Sequence, residues 1–223
     1  MGGVVYPGTD PITLGSIIYD FWWQSGVTAV GGGAPSNGGT VEYWAERNGG
    51  TTAVTSGAPY QTYSSTLGVR NGTGVLMGLN DPANLTPPFT AYVLCTYGGT
   101  NLYPIGGSGS GDGSQLSVVA GQSNLQDFAN TVLVSGTVTG TGSKLFRWRV
   151  NAAGTAFFKD GTAAEENIGS FGASNYVSWA SIFWTGLAFE AADNYTRRIT
   201  AFSADIVTGG QSTAVETYIN AAG

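Results

Sequence analysis

The chain has 223 residues, a net charge of −6 and only eight lysines and arginines. These basic residues form no cluster, which argues against nucleic-acid binding, because neutralising phosphates requires a patch of Lys and Arg. The chain has no histidine, which removes Ser-His-Asp catalysis and the usual zinc sites. Twelve per cent aromatic residues and 36 glycines indicate sheets joined by glycine turns rather than disorder.

Residues 1–13 are predicted to form an extended arm, because they combine two prolines with glycines and apolar residues. Four of them are candidate assembly residues that could add to the sheet edge of a neighbouring subunit: Val4, Val5, Tyr6 and Pro7. The alternative is that the arm lies against its own first strand. No signal peptide is predicted, because the N-terminal residues lack a basic segment followed by an apolar one. No membrane span is predicted, because the sequence contains no run of about 18 apolar residues.

Residues 14–24 are predicted to form the first strand, and its two apolar faces favour a central position in a sheet. Residues 61–70 and 74–79 are predicted to form a hairpin around Asn71-Gly72, since Asn-Gly favours tight turns. Residues 80–88 are predicted to be a loop.

Residues 89–97 are almost wholly apolar and are predicted to be a strand buried on both faces. Cys95, the only cysteine, lies in this run and is interpreted as a small buried hydrophobic residue.

Residues 144–150 alternate between apolar and basic side chains. The pattern predicts a half-buried strand with one face in the core and the other in solvent. The predicted core residues are Phe146, Trp148 and Val150, and the predicted solvent residues are Arg147 and Arg149. Near the C-terminus, Thr213 and Glu216 have the spacing of a capping box, which predicts a short helix.

Residues 41–46 are predicted to form another strand, followed by a turn at Asn48-Gly49-Gly50. Strict alternation would place Val41, Tyr43 and Ala45 on one face, and Glu42, Trp44 and Glu46 on the other.

This segment, with Pro59-Tyr60 after it and the aromatic run Ile17-Ile18-Tyr19-Asp20-Phe21-Trp22-Trp23 before it, resembles laminin-G-like, concanavalin-A-like jelly-roll domains. Such domains occur in bacteriophage virion proteins and bacterial surface proteins. The resemblance and the strand pattern together predict an all-β fold. The expected architecture is a two-sheet antiparallel β-sandwich with a short C-terminal helix, forming one domain over residues 14–223.

The resemblance implies a structural protein of a virion, such as a capsid decoration or a tail or fibre component. Its expected partners are other virion proteins and copies of itself, and the expected location is the virion, after synthesis in the host cytoplasm. The alternative is a carbohydrate-binding module that recognises host glycans. Loop residues at the sandwich rim would then form the site, with Asn101, Tyr103 and Asp112 as the candidates.

No enzymatic activity is expected, because the acidic string Glu-x-Asp-x-x-Glu of jelly-roll glucanases is absent. Glu42 and Glu46 are four residues apart on one strand, about 13 Å, which is too far for a retaining pair. Asp112 with Asp127 could bind calcium, but no calcium-loop string supports this, and no metal or cofactor is predicted.

Overall fold

The structure, a computed structural model, describes residues 8, 10–55, 60–70, 76–107, 114–128, 131–183, 194–206 and 209–222. It confirms the predicted class, because antiparallel strands form nearly all of the regular structure and one helix follows them near the C-terminus.

The described strands are short and follow one another closely along the chain. They are β1 (Ile17–Trp22), β2 (Val27–Ala29), β3 (Thr40–Ala45), β4 (Thr52–Thr55), β5 (Gln61–Ser64), β6 (Gly68–Arg70), β7 (Met77–Leu85), β8 (Phe89–Tyr97), β9 (Leu102–Gly106), β10 (Gln115–Val119), β11 (Gln122–Gln126), β12 (Val132–Thr137), β13 (Gly142–Val150), β14 (Thr155–Asp160), β15 (Glu166–Ser170), β16 (Val177–Ile182) and β17 (Tyr195–Phe202). A 3-10 helix spans Pro11–Leu14, and the helix α1 spans Gly209–Ala222.

Two runs of antiparallel strands face each other across the core. The first has the order β1–β17–β8–β13–β14–β15. The second has the order β2–β3–β4–β7–β16–β9–β10–β11–β12. Rings from the two runs meet directly: Tyr19 packs edge-on to Trp179 at 4.8 Å, and Phe21 lies 5.9 Å from Trp44. The short hairpin β5–β6 connects the runs, because β5 pairs with β3 and β6 pairs with β17.

Strands β8 and β13 confirm the prediction of a buried centre. Phe89 to Tyr97 is the span that was predicted, and Cys95 is fully buried with a free thiol. Trp148 on β13 is also fully buried, as its alternation predicts. Both faces of β8 are covered because the core lies on one side and α1 lies on the other, where Val215 and Ile219 pack against Leu94.

The arginines of β13 correct the prediction of a solvated outer face. Arg147 is 6% exposed and Arg149 is 4% exposed. The alternation did place them opposite Trp148, but α1 and its flanking segment cover that face of the sheet. Parity along a strand thus predicts the side on which a residue lies and not what packs there.

The first strand is shorter than predicted and lies at an edge, because β17 is its only partner among the described strands. The inference from two apolar faces to a central strand is therefore wrong. The reason is again α1: Ile17 packs into the cluster around Val215 and Ile219, so the second face of β1 is covered by a helix.

The predicted hairpin around Asn71-Gly72 is also wrong. Strand β5 pairs with β6 around residues 65–67, and β7 pairs with β4 and β16. The Ser64 hydroxyl accepts a hydrogen bond from the amide of Leu67 at 3.1 Å. This bond stabilises a turn that comes earlier in the chain than the Asn71-Gly72 pair. Strand β7 also extends into the predicted loop 80–88.

A bulge in β3 changes the predicted faces of that strand. Ala29 pairs with Val41 and Thr28 pairs with Tyr43, so Glu42 is an extra residue. Val41 and Trp44 are consequently both buried, whereas Tyr43 is exposed. Strict alternation placed Val41 with Tyr43, which the structure corrects.

The helix begins four residues before Thr213, so the capping box is not its start. The Glu216 carboxylate binds Arg147 and Lys159 instead of turning back to cap the helix. Within the described ranges, no helix combines the length and the apolar character needed to cross a bilayer.

The end of the predicted arm lies against its own domain. A Cβ added to Gly8 would come within 2.3 Å of the Ala214 carbonyl oxygen in α1. The Asp10 carboxylate pairs with Arg47 at 3.0 Å and accepts a hydrogen bond from the Tyr218 hydroxyl at 2.8 Å. The assembly residues Val4, Val5, Tyr6 and Pro7 lie outside the described residues, and their role stays a prediction.

Candidate functional site

The structure places two of the three predicted carbohydrate-binding residues. The Asn101 side chain accepts a hydrogen bond from the Ala120 amide at 3.0 Å, so it holds the turn between β10 and β11. Tyr103 lies on β9 and is 4% exposed, so its ring offers no open face for stacking on a sugar. Asp112 lies outside the described residues. The role of these three residues in sugar binding therefore stays a prediction.

Each carboxylate oxygen of the second residue of the possible calcium pair already accepts a hydrogen bond. Asp127 is buried, and its carboxylate accepts hydrogen bonds from the Thr131 amide and the Asn175 side chain, each at 2.7 Å. In the part of the chain that the structure describes, no three Cys, Asp or Glu residues are grouped as metal ligands.

The eight basic residues, which all lie in the described ranges, differ in whether a carboxylate pairs with them. Six of them form ion pairs with described carboxylates: Arg47, Lys144, Arg147, Arg149, Lys159 and Arg198. Arg197 donates hydrogen bonds to the Cys95 carbonyl oxygen and to the Ser143 hydroxyl. Arg70 is the remaining basic residue, and it has neither kind of partner among the described residues.

The arginines under α1 form a neutralised cluster. Arg147 pairs with Glu216 at 2.8 Å and with Glu165 at 2.7 Å. Arg149 pairs with the other oxygen of Glu165 at 2.6 Å and with Asp205 at 2.8 Å. Burial raises the pKa of Glu165, but the hydrogen bonds from Arg149 and the charge of Arg147 outweigh it and leave that pKa below its usual value. This cluster attaches the helix to the sheet.

A polar cleft of about 610 Å³ lies beside this cluster. Two lysines line it, and both are already paired: Lys144 with Asp160 at 3.1 Å, and Lys159 with Glu216 at 2.7 Å. A ligand anion would have to displace these carboxylates. Although this cleft is large, its two lysines are neutralised and offer no available positive charge to an anionic ligand.

Arg70 occupies a different setting, at the hairpin that connects the two runs of strands. It lies directly opposite Thr62 on β5 and directly opposite Tyr195 on β17. Residues that face each other across antiparallel strands project from the same side of the sheet, with Cβ atoms about 4.5–5.5 Å apart. Three strands thus place a hydroxyl, a guanidinium and a phenol ring in one row.

A cavity of about 320 Å³ lies over this row. Its lining is polar and aromatic: Asn37, Gly38, Thr62, Tyr63, Ser64, Arg70 and Tyr195. The volume falls in the range of about 300–1,000 Å³ that is usual for ligand pockets. The Arg70 Nε atom is buried and has no hydrogen-bond partner among the residues that the structure describes. The cavity, called the Arg70 pocket below, combines a cation that no described carboxylate neutralises with neutral hydrogen-bonding groups.

Backbone contacts hold the pocket in shape. Gly38 donates a hydrogen bond to the Tyr63 carbonyl oxygen at 2.7 Å, and the Asn37 side-chain oxygen accepts one from the Ser65 amide at 3.0 Å. The second contact leaves the NH₂ group of Asn37 for other partners. A Cβ on Gly68 would come within 2.5 Å of the Thr196 carbonyl oxygen, so β6 approaches β17 closely beside Arg70.

Sequence reasoning missed this site because Arg70 was interpreted as the end of a hairpin strand. One local signal was available: residues 60–70 carry one charged residue among tyrosine, threonine, serine and glutamine. An arginine without a nearby acidic residue in such a strand is a candidate for ligand binding. Its neighbours Asn37 and Tyr195 are far away in sequence, and only the strand pairing brings them to it.

No protein-family model matches this chain, and no curated protein matches it in sequence. Solved structures do match. A Trypanosoma rangeli sialidase in complex with a 2,3-difluoro derivative of a nononic acid has a TM-score of 0.52 at 9% identity, covering 98% of this chain and 37% of its own. The botulinum neurotoxin serotype D ligand-binding domain in complex with N-acetylneuraminic acid has a TM-score of 0.52 at 11% identity, covering 92% and 51%.

A structure of botulinum neurotoxin type C, whose cell entry depends on interaction with two ganglioside molecules, has a TM-score of 0.54 at 9% identity, covering 94% and 52%. The chain thus spans about a third to a half of the proteins it resembles. At these identities the likeness shows the fold, a jelly-roll-like β-sandwich, which agrees with the predicted class. It gives no support to the expected virion role.

The expectation that the chain is not an enzyme is contradicted by the same likeness. Sialidases are enzymes, and they are among the proteins that share this fold. The missing histidine and the missing acidic string exclude particular mechanisms, and they do not exclude enzymatic activity as such.

Proposed function

We propose that this chain is a carbohydrate-binding module whose Arg70 pocket binds an acidic sugar. The observation that carries the proposal is an arginine that has no ionic partner among the described residues and that lies at a cavity lined by Asn37, Thr62 and Tyr195.

The chemistry of the lining fits a sugar that carries a carboxylate. A guanidinium presents a planar fork of donors that matches a carboxylate with two parallel hydrogen bonds. The amide of Asn37 and the hydroxyls of Thr62 and Ser64 suit the hydroxyl groups of the ring, and Tyr195 adds an aromatic surface. Ligand pockets commonly combine a few placed polar groups with aromatic side chains in this way.

The similar structures support this ligand class. The sialidase complex holds a nononic acid derivative, and the neurotoxin serotype D domain holds N-acetylneuraminic acid, so both ligands are sugar acids. The neurotoxin type C structure concerns ganglioside molecules. These are properties of those proteins, and for this chain they favour the carbohydrate-binding alternative over a purely structural role.

The test uses matched ligands, namely glycans ending in N-acetylneuraminic acid or a uronic acid, and the same glycans with the carboxylate reduced to an alcohol. We expect the wild-type chain to bind the acids and to lose most of that affinity for the alcohols. The Arg70→Gln variant should bind the acids about 10- to 100-fold more weakly, because hydrogen bonds to charged groups contribute about 1.5–3 kcal/mol. Titration calorimetry measures both effects.

Lys144→Gln is the matched control, because it removes the same charge from the larger cleft, where Lys144 is already paired. Arg70→Lys keeps the charge and loses the planar fork, so intermediate affinity is expected. Equal binding of acids and alcohols, or equal effects of Arg70→Gln and Lys144→Gln, would remove the basis for the proposal.

The place of action is a separate proposal that comes from the sequence resemblance alone. On this view the module sits on a virion and binds glycans of the host envelope. Co-sedimentation of the chain with purified particles tests it, and a chain found only outside particles would rule it out.

A further inference from the structure

A second exposed aromatic surface lies far from the Arg70 pocket. Phe128 follows β11 and Tyr176 precedes β16, and their rings stack at a centroid distance of 5.1 Å with an interplanar angle of 23°. Phe128 is 48% exposed, which is unusual for a large apolar ring in a protein with so much core to fill. We call this stacked pair the Phe128 platform.

Partly buried hydrogen bonds hold the platform in place. The Phe128 amide donates a hydrogen bond to the Tyr176 carbonyl oxygen at 3.0 Å. This bond joins the loop after β11 to the loop before β16 at the two residues that carry the stacked rings. The preceding residue, Asp127, is buried and accepts hydrogen bonds from Thr131 and Asn175, one on each loop. A carboxylate with this environment acts as an anchor for both loops. The exposed ring therefore sits on a preorganised support, and preorganisation reduces the entropy lost on binding.

Neutral polar groups surround the platform. A small cavity of about 70 Å³ is lined by Phe128, Ser174, Asn175, Tyr176 and Asp127. The Asn175 NH₂ group donates to Asp127 and to the Phe171 carbonyl oxygen, which leaves its side-chain oxygen as an acceptor. A space of this size exceeds the roughly 30 Å³ share of one liquid water and can take a hydroxymethyl group.

We propose that the Phe128 platform is a second sugar-binding subsite, which takes the apolar face of a neutral pyranose ring. The face of an aromatic ring carries negative charge density, which attracts the polarised C–H bonds on one face of a sugar ring. Ser174 and the Asn175 oxygen would bind hydroxyl groups at its edge. No basic residue lines the cavity and Asp127 is engaged, so nothing there selects a carboxylate. The inference rests on different residues from the proposed function and goes beyond it.

The two sites lie towards opposite ends of β8. Phe89, at its start, packs against Phe171, whose carbonyl oxygen binds Asn175 beside the platform. Thr96, near its end, pairs with Tyr195 of the Arg70 pocket. Seven residues of extended strand correspond to about 24 Å. One monosaccharide cannot occupy both sites, so the module would engage two sugars independently.

The test titrates the intact chain with three neutral probes, maltohexaose, cellohexaose and a hexamer of β-1,4-linked N-acetylglucosamine. Ligand-observed NMR reports which protons lie against aromatic rings. We expect at least one probe to bind through ring C–H protons. Phe128→Ala should weaken its binding about ten-fold or more, and Phe128→Tyr should retain it. Val132→Ala is the matched control, because Val132 is an equally exposed apolar residue near the same loop.

The thermal midpoint of Phe128→Ala should fall by no more than about 5 °C, since the ring is half exposed and loses mainly its stacking on Tyr176. Arg70→Gln should leave neutral-probe binding unchanged and should weaken binding of the acidic sugar about 10- to 100-fold. Loss of neutral-probe binding in Arg70→Gln, or an equal effect of Phe128→Ala and Val132→Ala, would overturn the second subsite. Absence of binding by all three neutral probes would also overturn the second subsite. The proposed function of the Arg70 pocket would still be decided separately, by the binding of acidic sugars.

Discussion

The arginines of β13 and the arginine at the end of β6 show how differently one residue type is used on two strands of this sandwich. Arg147 and Arg149 are buried under α1, and each pairs with two carboxylates. Arg70 lies over an open cavity, where no described carboxylate neutralises it.

The difference follows from what covers each strand face. A buried charge needs a partner, because desolvation of an isolated ion costs several kcal/mol. The segment around α1 therefore brings Glu216 and Asp205, and Glu165 completes the cluster. No helix of the described ranges covers the Arg70 pocket, so water can solvate the guanidinium in the free protein and a ligand can replace that water. Paired arginines thus hold the fold together, and Arg70, which no described carboxylate pairs with, is proposed to be available for binding.

The largest effect on stability is expected at the most buried ion pair, where an arginine has a purely structural role. Asp20 and Arg198 are both fully buried, and the Asp20 carboxylate binds Arg198 at 2.7 and 2.6 Å and Arg47 at 2.7 Å. Asp20→Ala should lower the free energy of unfolding by about 3–5 kcal/mol, because it leaves a buried charge uncompensated. Urea unfolding measures the change.

Asp81→Ala, which removes an exposed carboxylate, is the control and should have little effect. Asp20→Leu combined with Arg198→Met should regain much of the loss, since Arg198 then leaves no uncompensated charge and Arg47 keeps its ion pair with Asp10. A loss below about 1 kcal/mol for Asp20→Ala would mean that water reaches Arg198, and the contrast with Arg70 would weaken.

The next effect concerns the attachment of α1. Glu216 pairs with both Arg147 and Lys159, so Glu216→Gln should cost about 2 kcal/mol of unfolding free energy. Hydrogen exchange should show faster opening of α1 than of β8. Thr217→Ala, an exposed change on the same helix, serves as the control. Unaltered exchange in α1 would show that apolar contacts alone hold the helix.

A smaller effect should appear as pH dependence at Glu165. Its pKa in the folded chain lies below the usual value of about 4.3, because the ion pairs with the arginines outweigh burial. Its contribution to stability is therefore present above that usual value and is lost as the pH falls through the folded-state pKa. Unfolding free energies measured from pH 7 to pH 3 should fall less steeply for Glu165→Gln than for the wild type. Parallel curves would contradict the assigned pairing.

The smallest effect on stability is expected where the effect on binding is largest. Arg70 has no ion pair or hydrogen bond to lose within the part of the chain that the structure describes, so Arg70→Gln should change the unfolding free energy by no more than about 0.5 kcal/mol. The same variant should lose affinity for acidic sugars. Thermal unfolding beside calorimetric titration gives both values, and a stability loss above about 2 kcal/mol would assign Arg70 to the structural group instead.

The similar structures support the assignment of the fold and give no information about the two arginine environments. They share a jelly-roll-like sandwich with this chain at 9–11% identity, so the positions of individual side chains cannot be transferred. The Arg70 pocket and the Phe128 platform are therefore argued from the contacts of this chain.

Local patterns in the sequence were sufficient for several elements. The all-β class, the burial of β8 with Cys95, the side of β13 on which Trp148 lies and the existence of a C-terminal helix were all predictable. These features depend on hydrophobicity and strand parity, which are properties of neighbouring residues.

Only the tertiary structure decided what covers each strand face and which strands pair. A helix near residue 215 buries arginines near residue 148, and strand β17 places Tyr195 beside Arg70. A bulge at Glu42 turned Trp44 into the core against simple alternation. Such outcomes depend on contacts between residues that are distant in sequence, and a local pattern carries no information about a distant partner. The sites that give the chain its proposed function belong to this second group.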